Sequence, residues 1–339
     1  MTFSILDSAR AEPVTTAPLL SLEDVRIDLR PGVPLVEALS FDVAPGEALA
    51  IVGESGCGKS LTSLAVMGLL PKNLKAGQSG KIVFEGMDLA TASEGKLRGL
   101  RGNRLAMIFQ DPLSALNPVL SVGAQIAEVL IAHARMSKAQ AKARAIELLG
   151  EVGLPRPDLR FGDYPHQLSG GMRQRVTIAM AIACDPKLVI ADEPTTALDV
   201  TVQAQILDLL TEIRKRTGQS LILITHDLGV VGEVADRMIV MYAGTVVEEG
   251  PVAEVLSRPK HPYTAGLLAA RPSGSYVHGG QALSDIPGTV PAPDARPEGC
   301  LFAPRCARAT ARCREARPPL DRAGARAVRC FFPVDGALA

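Results

Sequence analysis

The sequence contains no tryptophan and few other aromatic residues, and its acidic and basic side chains balance to a net charge of zero over 339 residues. It has no apolar run of the roughly 18 to 20 residues that a membrane span requires. The longest charge-free stretch, 112–127, contains two prolines. Residues 1–18 lack the basic start and long apolar region of a secretory leader. These absences predict a cytoplasmic protein that reaches a membrane only through a partner.

Short runs rich in valine and isoleucine alternate with helical patterns, which predicts parallel strands covered by helices. The runs lie at 48–52, 82–84, 188–191 and 221–224. Helical spacing marks 122–133 and 138–151, the second opening after Ser137 as a cap and closing near Gly153. Residues 271–299, rich in Pro, Gly and Ser, are typical of a linker or an irregular extended segment. The prediction is an α/β core with a helical insert, followed by a smaller second unit.

A glycine-rich loop, Gly-Glu-Ser-Gly-Cys-Gly-Lys-Ser at 53–60, follows the first apolar run. Its glycines let the backbone turn closely around phosphate oxygens at a helix start, Lys59 can reach the β and γ phosphates, and Ser60 offers a hydroxyl to magnesium. Lys59 and the helix start also predict a stabilised thiolate at Cys57. The expected nucleotide contacts are Gly53, Glu54, Ser55, Gly56, Cys57, Gly58, Lys59, Ser60 and Leu61.

Two further motifs complete the chemistry. Asp192 ends the apolar run 188–191, where its carboxylate can hold magnesium, and the adjacent Glu193 can polarise an attacking water. Ser169, Gly170 and Gly171 precede a helical stretch and form a second anion site. Two such sites predict a nucleotide held between two surfaces.

The order and spacing of these motifs resemble the ATP-binding cassette superfamily. The resemblance implies a P-loop NTPase-type domain at 19–258 after a flexible tail at 1–18, with a helical subdomain at about 97–180. It assigns Glu193 as the general base, Gln110 as a contact to magnesium and water, His226 as the switch for the γ phosphate, and Asp199 to a loop that links two sites. It also implies that Ser169, Gly170 and Gly171 close on the nucleotide of a second cassette, so that the cofactors are ATP and Mg²⁺.

One departure from the superfamily concerns the base of the nucleotide. No aromatic residue that could stack on adenine occurs between Phe3 and Phe41. Apolar contact through Leu29 or Val36 is the expected replacement.

Two segments not explained by nucleotide chemistry, Phe109–Pro118 and His261–Thr264, resemble the ATPase subunits of oligopeptide and dipeptide importers. The resemblance implies an extension at 259–339, a partner cassette, two membrane permease subunits and an extracytoplasmic binding protein, with this chain peripheral on the cytoplasmic face of the inner membrane. Importers of nickel, glutathione or another small solute share this build. A soluble cassette ATPase acting on ribosomes or DNA is a further alternative, although such chains usually carry two cassettes or a long coiled coil.

The extension has four cysteines with five, six and sixteen residues between them: Cys300, Cys306, Cys313 and Cys330. A reducing cytoplasm disfavours disulfides, and the pairs spaced by two to four residues that structural zinc prefers are missing. Iron–sulfur ligation requires no single spacing, and members of the resembled family carry a four-iron cluster. The prediction is a 4Fe-4S cluster, with zinc or unligated thiols as alternatives. Residues 296–329 contain nine arginines and three acids, an excess that could offset the negative charge of the cluster. Few aromatic residues accompany these arginines, which argues against binding of nucleic acid.

Overall fold

A computed structural model describes residues 17–75, 77–196, 198–270 and 286–334. The predicted flexible tail therefore lies almost entirely outside the described residues, as does 271–285 of the predicted linker. Residues 286–299 contain no helix or strand, in agreement with an irregular segment. Among the described residues, no helix is both long and apolar enough to cross a membrane.

The strands form two sheets. They are β1 Leu20–Arg30, β2 Val33–Val43, β3 Ala48–Val52, β4 Gln78–Phe84, β5 Met87–Asp88, β6 Leu105–Ile108, β7 Leu188–Asp192, β8 Ser220–Thr225, β9 Arg237–Tyr242, β10 Thr245–Pro251, β11 Asp321–Ala323 and β12 Arg326–Val328. One sheet has the order β2-β1-β4-β5 and is antiparallel, and the other has the order β11-β12-β10-β9-β3-β8-β7-β6.

The helices alternate with the strands along the chain. They are α1 Lys59–Val66, α2 Lys72–Lys75, α3 Glu94–Leu100, α4 Pro112–Ala115, α5 Val122–Ala134, α6 Lys138–Glu151, α7 Pro157–Arg160, α8 Gly170–Ile182, α9 Val200–Thr217, α10 Leu228–Val234, α11 Val252–Ser257, α12 Pro262–Ala269 and α13 Ala311–Glu315. The α/β prediction is confirmed.

Strands β9, β3, β8, β7 and β6 run parallel, which confirms three of the four predicted parallel strands. Every residue of β3, β7 and β8 is buried, as expected when both faces of a parallel sheet are covered. The prediction for 82–84 was wrong, because this run ends β4 and pairs antiparallel with β1. Its three apolar residues could not distinguish a strand buried on one face from one buried on both.

The helical insert is also confirmed. Helix α6 opens with a capping box in which Ser137 and Gln140 exchange side-chain and backbone hydrogen bonds, and Gly153 follows its end with a φ of 75°. Apolar side chains of α5, α6, α8 and α9 form one cluster against the larger sheet. A second cluster lies between the two sheets and includes residues of α1.

The C-terminal extension packs on the core. Strand β12 pairs antiparallel with β10, matching Glu248 with Val328, so the extension lengthens the larger sheet. A third apolar cluster joins Tyr242 of the core with Tyr263 and Phe302 of the extension. The extension therefore shares an apolar core with the α/β part of the chain.

Candidate nucleotide site

The carboxyl ends of the parallel strands carry the predicted functional residues to one edge of the sheet. Strand β3 leads into the loop at 53–58, β6 leads to Gln110, β7 ends at Asp192, and β8 leads to His226. Ligands of parallel α/β sheets bind at such an edge. The residues that line the cleft there are Ser55, Gly56, Gly58, Lys59, Ser60, Leu61, Gln110, Glu193 and His226.

Two glycines of the loop are required by its geometry. Gly58 has a φ of 101°, and a side chain there would come within 2.9 Å of Val36 Cγ2. A Cβ on Gly53 would lie 2.2 Å from the carbonyl oxygen of Met241, so the loop can pass over β9 only with glycine. The chain then enters α1 at Lys59, where the free amides of the first helical turn are available to an anion.

Lys59 is buried at the base of the cleft. Its ammonium donates to the carbonyl oxygens of Gly53 at 2.8 Å and Glu54 at 3.1 Å, and lies 3.9 Å from Glu193 Oε1. These bonds hold the cation inside the curve of the loop, where phosphate oxygens can compete for it.

A hydroxyl and a carboxylate meet beside Lys59. Ser60 Oγ donates to Asp192 Oδ1 at 3.0 Å across the strand ends. Burial raises the pKa of Asp192, and neighbouring Glu193 also raises it, while the Ser60 hydrogen bond lowers it. A divalent cation would stabilise the charged form of Asp192, so this oxygen pair suits magnesium.

Glu193 is the centre of a hydrogen-bonding group at the cleft. Its Oε2 accepts from Gln110 Nε2 at 3.2 Å and Thr196 Oγ1 at 2.9 Å, and lies 3.4 Å from His226 Nδ1. Its backbone φ of 45° is unusual for a residue other than glycine, a conformation often found at functional sites. The three expected catalytic side chains therefore converge, and Thr196 is a partner that the sequence reasoning missed.

The second predicted anion site does not line this cleft. Ser169 caps α8 by accepting from the Met172 amide at 3.4 Å, and Ser169 and Gly170 are exposed. A Cβ on Gly171 would lie 2.6 Å from Val202 Cγ1, so glycine allows α8 to pack closely on α9. Asp199 caps α9 through the Val202 amide at 2.9 Å. Ser169 and Gly170 therefore lie at the surface, and residues 169–171 are not among those that line the cleft of the same chain.

The predicted Cys57 thiolate is contradicted. Cys57 is fully buried, and its sulfur lies under the loop, where a Cβ on Gly53 would approach it to 2.8 Å. Burial raises the pKa of the thiol and outweighs the opposing charge of Lys59. The backbone of Cys57 belongs to the loop, but its thiol is structural.

The two candidates for adenine contact differ in exposure. Val36 is fully buried against Gly58, whereas half of the Leu29 side chain is exposed near the tip of the β1–β2 hairpin. Leu29 is therefore the more accessible of the two candidates.

The four cysteines of the extension line one narrow cavity together with aromatic side chains that include Phe302 and Phe331. All four are free thiols, and burial raises the pKa of three of them, that of Cys330 to about 11. Among the described residues, no group of three or more His, Cys, Asp or Glu side chains is placed so that it could hold a metal ion. The four thiols therefore share one cavity, but in this part of the chain they are not arranged as the predicted iron–sulfur or zinc site.

Comparison with known proteins gives two family matches. Residues 36–196 match the family described as ABC transporter, and residues 247–313 match the one described as oligopeptide/dipeptide transporter, C-terminal region. The first match covers the phosphate loop, Gln110, Asp192 and Glu193, and the second ends at Cys313.

Full-length relatives are also similar. The dipeptide transport ATP-binding protein DppD of Haemophilus influenzae is 52% identical over 300 residues, covering 88% of this chain and 90% of that protein. The oligopeptide transport ATP-binding protein AppD of Bacillus subtilis is 50% identical over 309 residues, covering 90% and 93%. A solved dimer of the ATP-binding cassette MJ0796 bound to ADP and Pi is 27% identical with a TM-score of 0.61, covering 69% of this chain and 98% of that one.

Proposed function

This chain belongs to the ABC transporter family, in the group with the oligopeptide/dipeptide transporter C-terminal region, and we propose that it hydrolyses ATP to power the import of di- and oligopeptides. The observation that carries the catalytic part is the convergence of Gln110, Glu193 and His226 beside Lys59. The similarity to dipeptide and oligopeptide transport ATP-binding proteins supports peptides as the transported substrate.

The roles of the cleft residues follow from their positions. Lys59 exchanges its carbonyl partners for phosphate oxygens. Ser60 and Asp192 would hold magnesium, which would neutralise phosphate charge. Glu193 orients and deprotonates the attacking water. His226, with 61% of its side chain open to solvent, contacts the γ phosphate.

A second cassette completes the site. Ser169 and Gly170 are exposed at the start of α8 and do not line the cleft of their own chain. This supports a head-to-tail pair in which the anion site of each chain closes on the nucleotide of the other. MgATP then stabilises the closed pair and its hydrolysis releases it, a shift between two populations. Asp199 lies in the connection between the two sites.

The permease subunits dock in an apolar groove beside Gln110. The groove is lined by Leu69, Phe109, Val129 and Met180 among others, and Leu69 and Phe109 expose more than a third of their surface. A permease segment bound in this groove would contact Phe109, which precedes Gln110. A change in the bound nucleotide could therefore be transmitted to the permease. This arrangement makes the chain a peripheral protein on the cytoplasmic face of the inner membrane, while an extracytoplasmic protein delivers the cargo.

The four-thiol segment is proposed to bind a 4Fe-4S cluster, with zinc as the alternative. The support is that Cys300, Cys306, Cys313 and Cys330 line one cavity and are thiols, the ligand type that both metals accept. Binding would require the thiols to deprotonate against the effect of burial. No step of the hydrolysis depends on this metal.

The test is reconstitution with the membrane subunits and the binding protein in proteoliposomes. We expect ATP hydrolysis that rises on addition of di- or oligopeptides, with uptake of labelled peptide. Stimulation by nickel or glutathione, but not by peptides, would redirect the assignment to another small-solute importer. Recovery of ribosomes or DNA instead of permeases from cell extracts would indicate a soluble cassette ATPase.

A variant tests the groove separately. Leu69→Glu places a charge in the apolar groove and should reduce recovery of the permeases. The control is Ala253→Glu at an exposed position of α11, which should not reduce it. Equal recovery of permeases with both variants would contradict docking at this groove.

A further inference from the structure

Two side chains of the C-terminal extension contact the phosphate loop directly. Arg305 Nη1 donates to Glu54 Oε2 at 2.9 Å, and the hydroxyl of Tyr263 accepts the Glu54 amide at 2.9 Å. Glu54 is the second residue of the loop, and these partners follow it by 251 and 209 residues. The extension therefore reaches the nucleotide site of its own chain.

The amide, the carbonyl and the carboxylate of Glu54 all form hydrogen bonds. Its carbonyl oxygen accepts from Lys59 Nζ at 3.1 Å, in addition to the bonds of its amide and carboxylate. The next residues, Ser55 and Gly56, line the phosphate cleft. Because consecutive peptide planes share a Cα atom, the position of Glu54 fixes the direction of the amides that follow it.

Arg305 is itself held rigidly. Only 6% of its side chain is exposed, and its Nε donates to the Pro287 carbonyl at 2.9 Å and its Nη2 to the Ile286 carbonyl at 3.2 Å. The guanidinium carbon lies 5.8 Å from the ring centroid of Tyr242. A charged donor restrained in this way keeps its hydrogen bond to a carboxylate at little further entropy cost.

The two contacts belong to one packed unit. The Tyr263 ring meets the Tyr242 ring at 4.8 Å and the Phe302 ring at 5.4 Å between centroids. Phe302 immediately precedes the 3-10 turn Ala303–Arg305. Tyr263 and Arg305 therefore both reach the loop from one group of packed aromatic side chains, and a movement of either residue would disturb that packing.

We propose that Arg305 is a positioning residue for MgATP binding, which acts through Glu54 to hold the phosphate loop in the form that accepts the triphosphate. The extension thereby sets the nucleotide affinity of its own chain. This inference rests on the proposed function. If Arg305 only anchored the extension, its loss would lower stability without changing the apparent affinity for nucleotide.

The experiment compares four single variants and one double variant in the reconstituted complex. Arg305→Met removes the charge at similar length, Arg305→Lys restores a cation, and Glu54→Gln removes the opposite charge. The matched control is Arg329→Met, because Arg329 is a partly buried arginine of the extension that donates to the carbonyls of Val246 and Pro318, away from the loop. Steady-state ATP hydrolysis gives kcat and KM for MgATP, and thermal unfolding reports stability.

Arg305→Met should raise KM about three- to tenfold and leave kcat within about twofold, since the loss of a loop-ordering bond weakens ground and transition states alike. Arg305→Lys should recover part of the loss. Glu54→Gln should raise KM similarly, and the double variant Arg305→Met/Glu54→Gln should be no worse than the more affected single variant, because the two changes break one interaction.

A KM for Arg305→Met equal to that of Arg329→Met would overturn the proposal, as would fully additive effects in the double variant. Should Arg305→Met fail to fold, Glu54→Gln with and without Arg305→Lys provides the same comparison. A wild-type complex that neither binds nor hydrolyses MgATP would instead refute the proposed function, so the two failures are distinguishable.

Discussion

Replacement of Glu193 by glutamine is the most direct test of the catalytic centre. The substitution preserves the size of the side chain but removes its charge and its basicity. It also replaces one acceptor oxygen with an NH₂ group, although Gln110, Thr196 and His226 surround Oε2 as donors or possible donors. With the amide oxygen at the Oε2 position these contacts are kept, and the NH₂ group replaces Oε1 opposite the Lys59 ammonium.

The expected loss concerns the rate and not the binding of nucleotide. Loss of a positioned general base typically slows a reaction about 10²- to 10⁴-fold, which corresponds to about 3 to 5 kcal/mol in activation free energy. Lys59, Ser60 and Asp192 are unchanged in the variant, so MgATP affinity should be retained. The closed dimer should accumulate, because hydrolysis no longer releases it.

The assay is phosphate release by the reconstituted complex, combined with equilibrium binding of MgATP and size measurement of the isolated cassette. Glu233→Gln is the matched control, since Glu233 is an exposed acid on α10 outside the cleft. Hydrolysis by Glu193→Gln at the wild-type rate would refute the role of Glu193 as base. A simultaneous loss of MgATP binding would show that the substitution disturbs the cleft itself.

Three further predictions concern Cys57, the cysteines of the extension and the buried His261. Iodoacetamide should not inactivate the native protein through Cys57, because the thiol is buried and its pKa is raised by burial; rapid inactivation of the wild type but not of Cys57→Ala would contradict this. Protein purified without oxygen should be brown and contain iron, and Cys306→Ser or Cys313→Ser should lose both; colourless protein with stoichiometric zinc would replace the cluster by a zinc site. Burial lowers the pKa of His261 from 6.5 to about 3, so between these values the unfolded chain binds one more proton than the folded chain. Stability should then fall by about 1.4 kcal/mol for each unit that the pH drops through that window, and His261→Asn should reduce the slope by one proton; chemical denaturation with an unchanged slope would refute the assignment.

The nucleotide motifs could be recognised from the sequence because their chemistry is local. The loop at 53–60 needs glycine where the backbone is crowded or has positive φ, a lysine and a hydroxyl at fixed offsets, and a strand and a helix on its flanks, all within a few residues. The alternation of buried runs and helical patterns likewise gave the α/β class. The helix cap at Ser137 is equally local, and the structure confirms it as part of a capping box.

Contacts between distant segments decided what the sequence could not. The run at 82–84 looked like a parallel strand, but its sheet and direction depend on pairing with β1. Cys57 follows every local rule for a reactive thiol, yet the packing of β9 and the loop buries it, and desolvation outweighs the charge of Lys59.

His261–Thr264 shows the same division. From the sequence alone, nucleotide chemistry did not explain this segment. The tertiary structure shows what its residues contact. His261 Nδ1 accepts the Tyr263 amide at 3.0 Å and caps α12, and Tyr263 carries its hydroxyl to Glu54. Motif spacing thus determined which chemistry the chain carries, because those contacts follow the backbone. Folding alone decided what supports the phosphate loop, because hydrogen bonds across more than 200 residues leave no periodic signal in a single sequence.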